Sequence, residues 1–151
     1  MLIGIISDTH GLLRTEALAA LAGVNHILHA GDVGNSDILT TLSTIAPLTA
    51  IRGNTDTHGD CAQLPENEAV DLAGRLVYLV HSIDWLDINP EAAGIAMVVS
   101  GHSHQPSVET RNGVIYLNPG SAGPRRFNLP VTLATVEIKD SGLTPRIIAL
   151  L

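Results

Sequence analysis

Four short apolar runs in this chain each stop at a small or polar residue, and that punctuation limits the fold more than any other feature. Leu2 to Ser7 ends at Asp8, His26 to Ala30 at Gly31-Asp32, Leu48 to Arg52 at Gly53-Asn54, and Ile95 to Ser100 at Gly101-His102. Short runs with little polar alternation read as strands covered on both faces, as in a parallel sheet. Between the first three lie segments with helical spacing. Leu13, Ala17, Leu18 and Leu21 form one stripe, closed by Gly23. Leu39, Leu42, Ile45 and Ala46 form another, with Ser36 as the expected cap and Pro47 as the stop. The order β-α-β-α-β predicts a parallel sheet.

The second half of the chain reads differently. Glu68 to Leu72 and Arg75 to His81 predict a hairpin through Ala73-Gly74, and Val108 to Arg111 with Val114 to Asn118 predict another through Asn112-Gly113. A short helix is expected over 88–93, and strands over 131–138 and 144–150. With helices early and antiparallel strands late, the expected fold class is α/β, a two-sheet β-sandwich flanked by α-helices. No linker, repeat or low-complexity segment interrupts it, so one domain over 1–151 is expected.

Composition narrows the function classes. Hydrophobic residues make up 45% and aromatics only 3%, so the core is built from Leu, Ile, Val and Ala. A net charge of -7 argues against a nucleic-acid-binding face. The single cysteine, Cys61, allows no disulfide within the chain, which suits a reducing compartment. The N-terminus lacks a basic segment followed by a long apolar one, and no run reaches membrane-spanning length. A soluble, cytoplasmic protein with no membrane partner is expected.

The polar residues that follow the strands carry the chemistry. Asp8 and His10 follow the first, Asp32 the second, Asn54 the third, His81 a later one, and His102 and His104 another. The carboxyl ends of parallel strands form the ligand-binding edge of such sheets, so residues distant in sequence converge there. Carboxylate oxygens and imidazole nitrogens suit Mn, Fe, Zn or Co ions. Two ions roughly 3.5–4 Å apart need a shared ligand, and Asp32, with two oxygens, is the best candidate for it.

Asp8-Thr9-His10, Gly31-Asp32, Gly53-Asn54, His81 and Gly101-His102-Ser103-His104 together resemble the motif set of the calcineurin-like metallophosphoesterase superfamily. The short chain is similar to its YfcE-like phosphodiesterase subgroup. The resemblance runs from Leu2 to about Arg126. It implies a metal-dependent phosphoric ester hydrolase with two divalent ions, Mn²⁺ first and Fe, Zn, Co, Ni or Mg as alternatives. One ion would take Asp8, His10, His104 and bridging Asp32; the other would take Asp32, Asn54, His81 and His102. A water or hydroxide between them would attack phosphorus in line. Asp32, Asn54 and His102 are the residues expected at the reacting centre.

The chain departs from the wider family in two places. Thr55 stands where many relatives carry a His that assists the leaving oxygen, and Ser82 follows His81 where relatives usually carry Gly. Residues 82–90 also lack a further His, so the loop beside the pocket is expected to differ. His58 is a candidate for the missing acid, although a solvated loop position is the simpler reading. His26 and His29 read as packed strand residues, with His29 also placed to support Asp32. Asp56 fits a turn or an orienting role. Asn118-Pro119-Gly120-Ser121 reads as a buried turn near the metals. Arg125 or Arg126 could meet a phosphate oxygen or simply be solvated. Cys61 reads as a small apolar residue, and Trp85 as a pocket or core cover.

The expected partner is therefore a small phosphoester, most simply a phosphodiester, and homo-oligomerisation is compatible with the sequence. Two alternatives stand beside this. A phosphomonoesterase would use the same ligands, since specificity lives in pocket loops. A binding scaffold like the retromer subunit of this fold would work without catalysis, but its metal site is degraded, whereas all seven expected side chains are present here.

Overall fold

The computed structural model describes residues 1–151. Strands β1 (Leu2–Ile6), β2 (His26–His29) and β3 (Leu48–Ala50) pair in parallel, as the β-α-β-α-β order predicts. The chain's last two strands, β9 (Thr132–Lys139) and β10 (Gly142–Ala149), complete this sheet antiparallel, giving the order β10-β9-β1-β2-β3. The second sheet contains β4 (Asn67–Leu72), β5 (Arg75–Val80), β6 (Ile95–Val99), β7 (Ser107–Arg111) and β8 (Val114–Asn118), in the order β4-β5-β6-β8-β7. Here β5, β6 and β8 run parallel, and both expected hairpins form at the edges. Ala73 and Asn112, both left-handed at φ 52°, each precede a glycine that also has positive φ, which is the two-residue turn that fits strand twist.

The two sheets face one another as a sandwich. Side chains alternate across a strand, so Ile3 and Ile5 of β1 point inward, with Leu28 and Val136, against Leu79, Met97, Val99 and Leu117 of the other sheet. Ile6, Ile27 and Leu133 point outward and are covered by Ala17, Leu21, Ile38 and Leu42. Each fully buried Leu, Ile or Val stabilises the fold by about 1.5–3 kcal/mol relative to exposure. These contacts seat α1 (Thr15–Ala20) and α2 (Ser36–Ser43) on one sheet only. The outer face of the second sheet instead carries Tyr78, Val80, Ile95 and Val98, packed with Leu86 from a loop.

Two expectations change in detail. The cap of α2 is Asn35, whose side chain accepts the Asp37 N–H at 2.9 Å, and Ser36 is the first helical residue. Residues 88–93 form no helix. Ala93 N–H reaches the Asn89 carbonyl, and Gly94, at φ 74°, ends the single turn there. The regular turn in this loop is a 3₁₀ turn earlier on, Ile83–Trp85. No helix of the chain is long and apolar enough to cross a membrane.

Candidate metal centre

The parallel strands of both sheets deliver their C-terminal loops to one end of the sandwich. Backbone bonds stitch these loops together before any side chain is considered. Asp8 N–H donates to the Gly31 carbonyl at 3.0 Å and His10 N–H to the Asp32 carbonyl at 2.9 Å, joining the loops after β1 and β2. Gly101 N–H donates to the His81 carbonyl at 2.9 Å, joining those after β5 and β6.

This framework gathers two groups of side chains. Asp8, His10 and His104 each bring a ligand atom within 4.8 Å of the others, and Asp32, His81 and His102 do the same. These six are among the seven side chains singled out in the sequence. Asn54, the seventh, is exposed after β3, on the wall of an adjoining cavity.

Each carboxylate is held by one oxygen and presents the other. Asp8 Oδ2 accepts the Ser7 hydroxyl at 2.8 Å and the His102 N–H at 3.0 Å. Its Oδ1 is buried with no hydrogen-bond partner and lies 3.5–3.8 Å from Nε2 of His10, His81 and His104. Asp32 Oδ1 accepts the Thr55 N–H at 2.9 Å. Its Oδ2 lies 3.2 Å from His81 Nε2 and 3.6 Å from His10 Nε2, between the two groups.

His81 is oriented in the same manner. His81 Nδ1 donates to the Ala30 carbonyl at 2.7 Å, which leaves its buried Nε2 without a hydrogen-bond partner and aimed at Asp32. His104 is also buried, and the atom it turns to the centre is Nε2, 3.5 Å from Asp8 Oδ1 and 3.3 Å from His10 Nε2. Buried polar atoms left unpaired are costly unless another ligand satisfies them. Inward-facing carboxylate and imidazole atoms with unmet bonding capacity are what a divalent cation requires, so the residues present fit such ions.

Charge follows the same geometry. Burial raises the pKa of Asp8, but the neighbouring His104 ring, the His81 charge and the Ser7 hydroxyl outweigh it and hold the carboxyl below its usual range. Burial likewise opposes ionisation of Asp32, and the adjacent His81 ring and the Thr55 N–H reverse it, so Asp32 also lies well below the ordinary value. For His81 burial lowers the pKa, and the adjacent Asp32 carboxylate and the Ala30 carbonyl raise it more.

Close approach at this end demands glycine, most directly beside the two carboxylates. A Cβ on Gly53 would strike Asp32 Oδ1, and would sit 2.7 Å from Asp32 Cγ. A Cβ on Gly101 would strike the Ser7 hydroxyl and lie 2.6 Å from Asp8 Oδ2. The backbone of these candidate ligands is itself unusual. Asp8, His10, Asp32, His102 and His104 have φ between 45° and 71°, a left-handed conformation that costs a side-chain-bearing residue about 1–2 kcal/mol. Such strain concentrates where function requires it.

The remaining residues singled out in the sequence fall into place around this centre. His29 Nδ1 accepts the Gly31 N–H at 3.1 Å, so its proton sits on Nε2, 3.0 Å from the Thr9 hydroxyl, which in turn donates to the Val33 carbonyl. It braces the loops carrying Asp8 and Asp32 rather than touching Asp32 itself. Asp56 is buried and accepts backbone N–H groups from Val33, Gly34 and Gly53, a structural clamp between two loops. His26 bonds Thr49 across β2 and β3. Exposed His58 bonds only its neighbour Thr57, at 2.7 Å. Asn118 bonds Gly101 and Ser103, and Ser121 bonds the Asp8 carbonyl, so that segment is the buried turn expected. Arg125 and Arg126 are exposed, with Arg125 turned back to the Leu129 carbonyl. Cys61 is buried in the apolar cluster under α1 and α2.

Three contributors were not singled out from sequence: Ser7, Thr9 and the backbone N–H of Thr55. Ser7 alone gave a signal, as a hydroxyl closing an apolar run beside Asp8. Ser82, where relatives usually have Gly, accepts the Asp84 N–H and starts the turn that presents Trp85. The Trp85 ring centroid lies 6.0 Å from that of His81 and 5.7 Å from that of His102.

Comparison with known proteins bears on the family and the fold. The family model for the calcineurin-like phosphoesterase superfamily domain matches residues 1–141. A relative from Methanothermobacter thermautotrophicus, named a probable metallophosphoesterase, is 34% identical over 146 residues, covering 86% of this chain and 82% of its own. A solved structure described as a novel archaeal phosphodiesterase superposes with a TM-score of 0.81 at 20% identity, covering 98% of this chain and all, 100%, of its own. YfcE, a phosphoesterase from E. coli, gives 0.71 at 21% identity with 100% of both chains covered. Chaetomium thermophilum Vps29 gives 0.79 at 15% identity, covering 98% of this chain and 95% of its own. At these identities the three solved structures share the fold.

Proposed function

This chain belongs to the calcineurin-like phosphoesterase superfamily, and from that premise we propose that it is a phosphodiesterase that hydrolyses a small phosphodiester with two divalent metal ions. The observation that carries the reading is the paired presentation of Asp8 Oδ1 and Asp32 Oδ2, each carboxylate pinned by its other oxygen. One ion is assigned to Asp8, His10, His104 and shared Asp32, the other to Asp32, Asn54, His81 and His102. Mn²⁺ is the first ion to test. When bound, the ions supply an activated water for in-line attack on phosphorus and neutralise the phosphate oxygens.

The chain's own groups do the positioning. Ser7 and the His102 N–H fix the Asp8 carboxylate, and the Thr55 N–H fixes Asp32. Ala30 fixes the His81 tautomer. Exposed Asn54 and His102 form the solvent side, where substrate arrives, and with Asp32 they are assigned to the reacting centre. Thr55 has no acidic proton to give and His58 faces solvent, bonded to Thr57, so the scheme calls for a good leaving group.

A diester fits better than a monoester, because it carries one negative charge at phosphorus. Arg52, the cation lining the adjoining cavity, is already paired with Glu66 at 2.6 Å. The solved archaeal phosphodiesterase of the same fold supports the same choice. We also assign the chain to one domain over 1–151 and to the cytoplasm, in keeping with its lone buried cysteine. Its acidity disfavours a nucleic-acid partner, and self-association is compatible with activity. A scaffold role like that of a retromer subunit is the competing reading, and the intact ligand set speaks against it.

The test is turnover of bis(4-nitrophenyl) phosphate and 4-nitrophenyl phosphate by Mn²⁺-loaded protein. Diester cleavage that exceeds monoester cleavage and stops on chelation is expected. Preference for the monoester would reassign the substrate, and undiminished turnover in metal-free protein would overturn the scheme.

A further inference from the structure

Trp85 is the only tryptophan, in a chain with only 3% aromatic residues, yet it is 52% exposed. Its ring packs at a tilt against His81 and His102 and forms one wall of a cavity of about 540 Å³. Asn54 and Gly53 place that cavity directly beside the ligand set, and Arg52 and Glu66 form another part of its lining. The volume is within the range of small-molecule sites. Arg52 is anchored to the Ala62 carbonyl at 3.3 Å and to Glu66 Oε1 at 2.6 Å. The Glu66 side chain is 74% exposed, with one oxygen engaged by that pair. A tryptophan whose role was core packing would be covered. This one is held at a cavity mouth by the turn that Ser82 starts.

We propose that Trp85 is a stacking platform for a planar ring on the phosphodiester substrate, and that Glu66 accepts N–H groups from that ring's edge when it is a nucleobase. The inference rests on the phosphodiesterase reading and adds a substrate class to it. An indole face stacks on any aromatic plane, whereas a carboxylate accepts hydrogen bonds only from a ring that carries donors. An aryl ester and a nucleoside ester therefore share the platform and differ at Glu66.

The test uses Mn²⁺-loaded protein and three phosphodiesters with a common 4-nitrophenolate leaving group, the other substituent being methyl, phenyl or 5′-thymidine. The expected result is a kcat/KM for both ring-bearing esters at least about tenfold above that of the methyl ester, as one stacked ring supports. Trp85→Ala should collapse that ratio through KM, and Trp85→Phe should restore most of it. Glu66→Gln should lower the thymidine ester relative to the phenyl ester; equal response of the two would assign the site to plain aryl groups and remove the nucleobase part. Because Trp85 is the sole tryptophan, its fluorescence gives a readout independent of turnover. Thymidine 5′-monophosphate should change it saturably and methyl phosphate should not. No ring preference in the wild type, or an unchanged ratio in Trp85→Ala, overturns the inference while the phosphodiesterase reading stands. Failure to cleave any of the three esters overturns both.

Discussion

The backbone N–H of His102 donates to Asp8 Oδ2 at 3.0 Å, across 94 positions of sequence and from one sheet to the other. A single carboxylate thus organises the β6 loop with one oxygen and offers the other to the centre. Asp8→Asn keeps an acceptor for His102 but removes the anionic ligand, so divalent-ion affinity should fall at least about tenfold. Asp8→Ala should also expose the His102 amide to faster hydrogen exchange. Unchanged protection in Asp8→Ala would show that the bond does not hold the loop.

Asp32 Oδ2 faces both His10 and His81, one from each ligand group. Asp32→Ala should therefore deplete both ions, seen by elemental analysis, and reduce turnover to background. Retention of one full equivalent would limit Asp32 to a single ion.

Asp56 accepts three backbone donors while His58, two residues on, is exposed. An unsatisfied donor costs about 1–3 kcal/mol when buried. Asp56→Ala should lower unfolding stability by roughly 3 kcal/mol or more on that scale, read from denaturant midpoints. His58→Ala should change stability by less than about 0.5 kcal/mol and leave turnover within about twofold of wild type; a loss of several decades with metal retained would make His58 the proton donor.

Burial depresses the His29 pKa to about 4, against the raising effects of Asp8 and Asp56. The folded protein therefore binds fewer protons than the unfolded chain between about 4 and the ordinary histidine value of 6.5. Stability contributed by neutral His29 is complete above 6.5 and declines as pH falls toward 4. One proton gives a limiting slope of about 1.4 kcal/mol per pH unit. Protonation also places a hydrogen on Nδ1, opposite the Gly31 N–H. His29→Gln in metal-free protein should flatten that part of the stability profile. An identical slope in the variant would assign the pH dependence to other groups.

Gly53→Ala directs a methyl group onto the Asp32 carboxylate. Overpacking of this kind typically costs about 1–3 kcal/mol, and here it also displaces a ligand. Lower melting temperature together with lower metal content is expected. A variant that binds ions normally would mean that the β3 loop can retreat without cost.

Much of the sandwich was legible because strand ends are marked in the sequence by abrupt changes in polarity. Ile6-Ser7-Asp8 and Ala30-Gly31-Asp32 each mark a strand end and a candidate ligand position at once. The hairpins at Ala73-Gly74 and Asn112-Gly113 were legible from turn chemistry. What escaped depends on how loops meet. Asp56 has the same local pattern whether it ends a turn or collects N–H groups from another loop. The Thr55 N–H carries no side-chain signature at all. Residues 88–93 have apolar residues suited to a helix, but Asn89 and Gly94 close them into one turn. Asn35 outcompetes Ser36 as a cap because its extended backbone lets the amide reach Asp37.

The left-handed backbone at Asp8, His10, Asp32, His102 and His104 has a consequence for engineering. Copying these side chains onto strand ends of another scaffold would transfer their chemistry without their aim, since ordinary backbone there points a side chain elsewhere. A successful graft has to carry whole loops and the bonds that hold them. Within this chain the opposite freedom exists. The stretch around Trp85 adjoins the centre without sharing that backbone, so selection for new substrates should accumulate changes there first.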